Sequence, residues 1–265
     1  MERPRHLPDY DSPPLEEVVV GVQFEKFSGM TSLHASRIHD LFKGDFPGYE
    51  EHPPLEPRFE TFGGDSSERR VSVQFGPPIS RPRQWFISES GSHLLQVQDD
   101  RFLLNWRKQS DGDYPHFEGV HEVFRKNFGL LSEFGERNLG QSINLTQAEV
   151  TYVNFIDVGE YSEASNWVLL CSSEIGDVEG FRQEMSSVLS DDRGNRYARF
   201  HRKIATVVYG DDRQNALQFE LSVKGKPHNG DWSTVDPFLL EARDRIVSEF
   251  DRVTTQKAHE RWGKL

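Results

Sequence analysis

The chain has 265 residues, with 31 Lys and Arg against 43 Asp and Glu, for a net charge of −12. Only 35% is apolar, yet 19 Phe and 5 Trp can still build a core, which argues against disorder, because each aromatic buries on the order of 150–250 Å². No run reaches the roughly 18 apolar residues of a membrane helix, and the acidity argues against a nucleic-acid binder held by bulk charge. The lone Cys171 excludes an internal disulfide and a multi-cysteine zinc site. Met1–Ser12 lacks the charged-then-apolar pattern of a secretion leader, so the expected location is the cytoplasm.

In chain order, residues 1–14 are polar and proline-rich and read as an extended arm. Glu17–Phe24 is β-branched and apolar on both faces, as a central strand is. Thr31–Phe42 reads as a short helix stopped near Gly44. Pro47–Glu60 reads as an acidic proline loop carrying Glu50, Glu51 and Glu56. Val71–Phe75 alternates as a strand, and Ser88–Gly91 is a hairpin signal between Trp85–Ile87 and Leu94–Val97. Asp99-Asp100-Arg101 turns the chain into Phe102–Trp106. Pro115 opens a helix with Phe117, Val120, Phe124, Phe128 and Leu131 on one stripe.

The second half offers a strand at Glu149–Ile156, a helix at Asp177–Leu189, and strands at Tyr197–Tyr209 and Leu217–Val223. Asp236-Pro237 supplies an N-cap and first-turn proline for a last helix, whose stripe is Leu239, Ala242, Ile246, Phe250 and Val253. Shifting the chain by about 122 residues lays Leu95–Val97 on Leu217–Phe219, Pro115 on Pro237, and the first stripe on the second. The expectation is an α+β fold of two tandem related halves, 15–140 and 141–265, each an antiparallel sheet gripped by a long helix. The two sheets can continue edge to edge through Glu17–Phe24 and Glu149–Ile156, forming one compact unit.

Several stretches carry a resemblance. Pro13-Pro14-Leu15-x-Glu17-Val18, the run Leu95–Lys108 (LQVQDDRFLLNWRK), Tyr114-Pro115, Glu149–Asn154 (EVTYVN) and the closing Trp262-Gly263 resemble a sporadically distributed bacterial family of chains of this size. That family carries no assigned activity, so the resemblance supplies no catalytic residues. Its patchy distribution is similar to that of defence and toxin–antitoxin genes.

Chemical motifs are sparse. His34 and His39 stand five apart, about 140° around a helix, which does not suit a metal pair. The three Asp-Asp-Arg tripeptides at 99–101, 191–193 and 211–213 read first as turns, with convergence on a metal as the sharper alternative. There is no nucleophile elbow and no glycine-rich phosphate loop. No catalytic residue, metal ligand or cofactor is assigned. The informative set is polar residues inside strands: Gln96, Gln98, Asn105 and Asn154, with Arg107 beside them. Such amides either lock strand register or line a ligand cavity under a long helix. Alternation puts Gln96 and Gln98 on one face.

The leading expectation is a non-enzymatic protein-binding component, the neutralising or sensing member of a bacterial defence pair. Glu50, Glu51, Glu56 and Trp262 are its candidate contacts, and Trp262 has packing as its other reading. A homodimer is compatible with the sequence. The alternatives are a small-molecule binder with a pocket between sheet and long helix, and a metal-dependent hydrolase or nuclease built on the Asp-Asp-Arg turns.

Overall fold

A computed structural model describes residues 4, 6–56, 59–62, 81–109, 114–171, 178–210, 212–227 and 230–265. The expected strand at Val71–Phe75 lies outside them. In chain order the elements are β1 (Leu15–Phe24), α1 (Ser32–Phe42), β2 (Gly48–His52), β3 (Arg83–Ile87), β4 (His93–Gln98) and β5 (Arg101–Arg107). Next come α2 (His116–Phe134), β6 (Leu145–Asp157), β7 (Arg182–Ser190), β8 (Arg196–Tyr209), β9 (Gln214–Gly225), α3 (Trp232–Val253) and α4 (Gln256–Arg261).

Among the described residues nine strands form one antiparallel sheet of order β2-β3-β4-β5-β1-β6-β9-β8-β7. This corrects the expectation of two tandem halves with a sheet and a helix each. β1 and β6 pair along nearly their whole lengths, Val18 opposite Tyr152 and Val22 opposite Ala148, so the expected edge-to-edge junction is the middle of a single sheet. The 122-residue frame lays β4 on β9; in the sheet β9 adjoins β6, whereas β5 separates β4 from β1. Two amphipathic helices of one period match in any frame that keeps their phase.

Alternation gives the sheet two unlike faces. Val18, Val20 and Val22 of β1, Phe102 and Leu104 of β5, and Leu217, Phe219 and Leu221 of β9 point to the helix side and are fully buried. There α2 packs on β1 and β5, and α3 on β6 and β9. Both predicted stripes are buried, from Phe117 to Leu131 and from Leu239 to Val253. The helices are tied together by Arg243 Nη1 donating to Glu118 at 2.6 Å and by the His121–Asp236 contact at 2.9 Å.

Three elements differ from expectation. Of the helix expected at Asp177–Leu189, residues 178–181 form no regular element and Arg182–Leu189 belongs to strand β7. β7 is an edge strand solvated on both sides, so it lacks the alternation that would have marked it. Part of the acidic loop is the edge strand β2, held because Tyr49 packs on Phe86 with ring centroids 5.5 Å apart. Finally, α3 begins at Trp232 after Asp231, leaving Pro237 inside the helix rather than at its start. The extra turn forms because Trp232 stacks on Phe128, 5.2 Å between centroids, and so buries its own ring.

Candidate functional site

The five candidate ligand residues do not share a site. Asn154 faces the helices, whereas Gln96, Gln98, Asn105 and Arg107 face away from them on the open face of the sheet. A ligand pocket under a long helix lined by those four is therefore ruled out by strand phase. On the open face Gln98 bonds the Leu55 main chain and the Asp100 carboxylate, while Gln96, Asn105 and Arg107 serve a chain of polar contacts across four strands. Arg83 Nη1 donates to Gln96 Oε1 at 2.8 Å, and Gln96 Nε2 donates to Asn105 Oδ1 at 2.7 Å. Asn105 Nδ2 donates to Glu17 Oε1 at 2.7 Å, and Arg107 Nε reaches the same oxygen at 3.3 Å. Each amide has its partner in the neighbouring strand, so the chain fixes register.

Asn154 lines a cavity of about 500 Å³ on the helix side. It is lined by Trp106, Tyr152 and Leu221 of the sheet, by Ile246 and Phe250 of α3, and by the arm from Pro8 to Pro13. The arm is pinned by backbone bonds to the tail: Asp11 N to Gly263 O and Ser12 N to Trp262 O at 3.0 Å each. Tyr10 donates from its hydroxyl to Asp251 at 2.7 Å, and burial with that carboxylate raises its pKa far above the ordinary phenol value. Asn154 Nδ2 donates to Phe219 O at 3.1 Å. The hydroxyls of Tyr114 and Tyr152 bond each other at 3.0 Å, and burial keeps Tyr114 un-ionised. His116, at the start of α2 and on the cavity rim, has φ 54°, a left-handed conformation rare for a residue with a Cβ. The site thus combines an aromatic lining with a few fixed polar groups, the usual makeup of a small-molecule site.

The candidate partner contacts are scattered. Glu50 and Glu51 sit on the β2 edge, contacting His52 at 2.8 Å and the Tyr49 hydroxyl at 2.7 Å. Glu56 exposes its side chain while its carbonyl accepts from Arg101 Nη2 at 3.3 Å. Trp262 is buried, stacked on Phe250 with centroids 5.3 Å apart.

Among the described residues no three His, Cys, Asp or Glu side chains converge to hold a metal. The Asp-Asp-Arg segments are turns. Asp99–Arg101 joins β4 to β5 and Asp191–Arg193 joins β7 to β8 at the same end of the sheet, five strand spacings or about 24 Å apart along it. The third joins β8 to β9 at the opposite end, and its Asp211 lies outside the described residues. Asp191 accepts from the backbone of Arg193 at 2.9 Å and of Asn195 at 2.8 Å, spending its carboxylate on its own turn. The thiol of Cys171 is pushed up to about 11 by burial, which leaves it a poor nucleophile.

Sequence reasoning missed Tyr10, Trp106, Tyr114, Tyr152 and Phe250, which make the cavity. Nothing local marks them, because a cavity wall reads as ordinary core. In comparisons with known proteins, no family model and no curated protein matches this chain.

Proposed function

We propose that this protein binds a small, largely apolar molecule carrying a ring or short hydrocarbon body and one polar group. The observation that carries this reading is the cavity of about 500 Å³ lined by Trp106, Tyr152, Phe250 and the pinned arm. A volume in the range of roughly 300–1,000 Å³ suits such a ligand. The apolar body packs against the rings, and the polar group meets Asn154 and the Tyr114–Tyr152 hydroxyl pair. The test is native mass spectrometry of the protein purified gently from its host. A fixed small extra mass is expected, and it should vanish in Ile246→Trp, which fills the cavity. That variant should keep its circular dichroism spectrum. A bare wild-type protein, with no thermal stabilisation by indole, benzoate or decanoate at millimolar concentration, would sink the proposal, since a ligand at 100 times its Kd adds about 2.7 kcal/mol.

A second reading, a protein-binding cytoplasmic component of a bacterial defence pair, is favoured by the acidic, solvent-facing β2 edge with Glu50 and Glu51. The same spectra read it out as a co-purifying protein at fixed stoichiometry, or a homodimer mass for self-association. Reversing Glu50, Glu51 and Glu56 to Lys should weaken capture of such a protein at low salt.

A further inference from the structure

The open face of the sheet carries a row of polar side chains at right angles to the strands. His52 of β2 lies opposite Arg83 of β3, Gln98 of β4 opposite Arg101 of β5, Arg101 opposite Gln23 of β1, and Gln23 opposite Gln147 of β6. Leu55, Glu56 and Glu60, in the chain after β2, meet this row chiefly through their main chain. Leu55 N donates to Gln98 Oε1 at 2.9 Å, and Gln98 Nε2 returns a bond to Leu55 O at 3.1 Å. Arg101 Nη2 donates to Glu56 O at 3.3 Å, and Glu60 N donates to Gln147 Oε1 at 2.8 Å. One side chain is recognised as well. The Glu60 carboxylate takes Arg199 on one oxygen and His201, at 2.9 Å, on the other.

This is how a protein grips an extended peptide: main-chain bonds for affinity and one charged pocket for specificity. Among the described residues, part of this face is left without partners. Arg83 Nε, Trp85 Nε1 and Arg101 Nε are buried with no hydrogen-bond partner among the described residues, and Arg101 is only 6% exposed. Their neighbours on this face are paired, Arg107 with Glu17, Lys203 with Glu220 and Lys224 with Glu149. Among the described residues neither Arg83 nor Arg101 makes an ion pair with a carboxylate; the Asp100 carboxylate, held by Gln98 Nε2 at 3.0 Å, acts on Arg101 without bonding it, in a chain that is acidic overall.

We propose that this face is a groove for an extended acidic peptide from a partner protein, and that the chain at residues 55–56 and 59–62 is its resident competitor. The incoming peptide places one carboxylate on Arg199 and His201 and a second on Arg83 and Arg101, which the resident segment leaves without one. The proposal does not rest on the helix-side cavity.

The probe is a fluorescein-labelled peptide copying residues 53–62, titrated by anisotropy into full-length protein. In the wild type the tethered segment competes at an effective concentration of the order of millimolar. Glu60→Ala removes its anchor, so that variant should bind the peptide at least tenfold tighter than wild type. A peptide with Gln at the Glu60 position should bind the variant at least tenfold more weakly, and so should the original peptide once Arg101→Gln is added to the variant. A folded Glu60→Ala protein that fails to bind at 1 mM would overturn the groove, and equal binding of the Gln peptide would overturn acidic recognition. If Glu60→Ala does not fold, wild type titrated to about 10 mM should saturate, and no saturable change overturns the proposal.

Discussion

A Cβ placed on Gly21 would lie 2.2 Å from Leu103 Cδ2 and 3.2 Å from Glu149 Cγ. Gly21 sits on β1 between those two neighbours in the central sheet, where only a hydrogen fits. Leu103 is itself buried, so it yields only by displacing what covers it. Gly21→Ala should therefore destabilise by about 1–3 kcal/mol, the cost of overpacking, read as a lower urea midpoint at constant m-value. At the same scale His34 shows how a residue's role depends on position. Its Nδ1 accepts from Thr31 N at 2.9 Å and closes a capping box for α1. The sequence puts His34 three residues after the N-cap, but Glu and Gln are the residues that usually signal this motif.

Strand β5 reads Arg101, Leu103, Asn105 and Arg107 on one face and Phe102, Leu104 and Trp106 on the other. Alternation alone separates a polar face from a core face here. What lies over the polar face is not written in the strand, because the covering segment is more than forty residues away in sequence, at Leu55 and Glu56. The chain Gln96–Asn105–Glu17 should behave as one unit. Asn105→Leu leaves the Gln96 amide and the Glu17 carboxylate short of a partner and should cost about 1–3 kcal/mol. Adding Gln96→Leu removes one of the stranded groups, so the double variant should lose less than the sum of the two single losses in a double-mutant cycle of urea unfolding. Strict additivity would show that the amides act independently. The β7 edge marks the opposite limit of legibility, since a strand solvated on both sides has no hydrophobic period to read.

At the scale of the molecule, acid should unfold the protein in two stages. Burial holds His93 and His121 below the ordinary imidazole value. The unfolded chain then takes up protons more readily than the native one, so stability falls as pH drops below about 6.5. Burial alone would raise the carboxyls of Glu60, Glu249 and Asp251. Their cationic neighbours outweigh it: His201 and Arg199 for Glu60, Arg252 and Arg202 for Glu249, and Lys264 for Asp251. Those carboxyls titrate below their unfolded values, and their contribution is fully present above about pH 4.5 and is lost as pH falls further. Unfolding midpoints measured from pH 8 to 3 should show both declines, and His93→Gln should flatten the upper one. An unchanged upper decline would remove His93 from the account.

The residue pattern by itself determined the central strands, the buried stripes of α2 and α3 and the turn at Asp99-Asp100. These depend on local period and on side chains bonding their own backbone, and both are written within a few residues. Only the tertiary structure decided that the strands form one sheet of nine and that Asn154 and Gln96 face opposite sides of it. It also decided that the arm lines a cavity and that Leu55, Glu56 and Glu60 bond the polar face. Those outcomes depend on pairing between segments far apart in the chain. The choice among possible partners is made by closing the whole core at once, and no local window contains it.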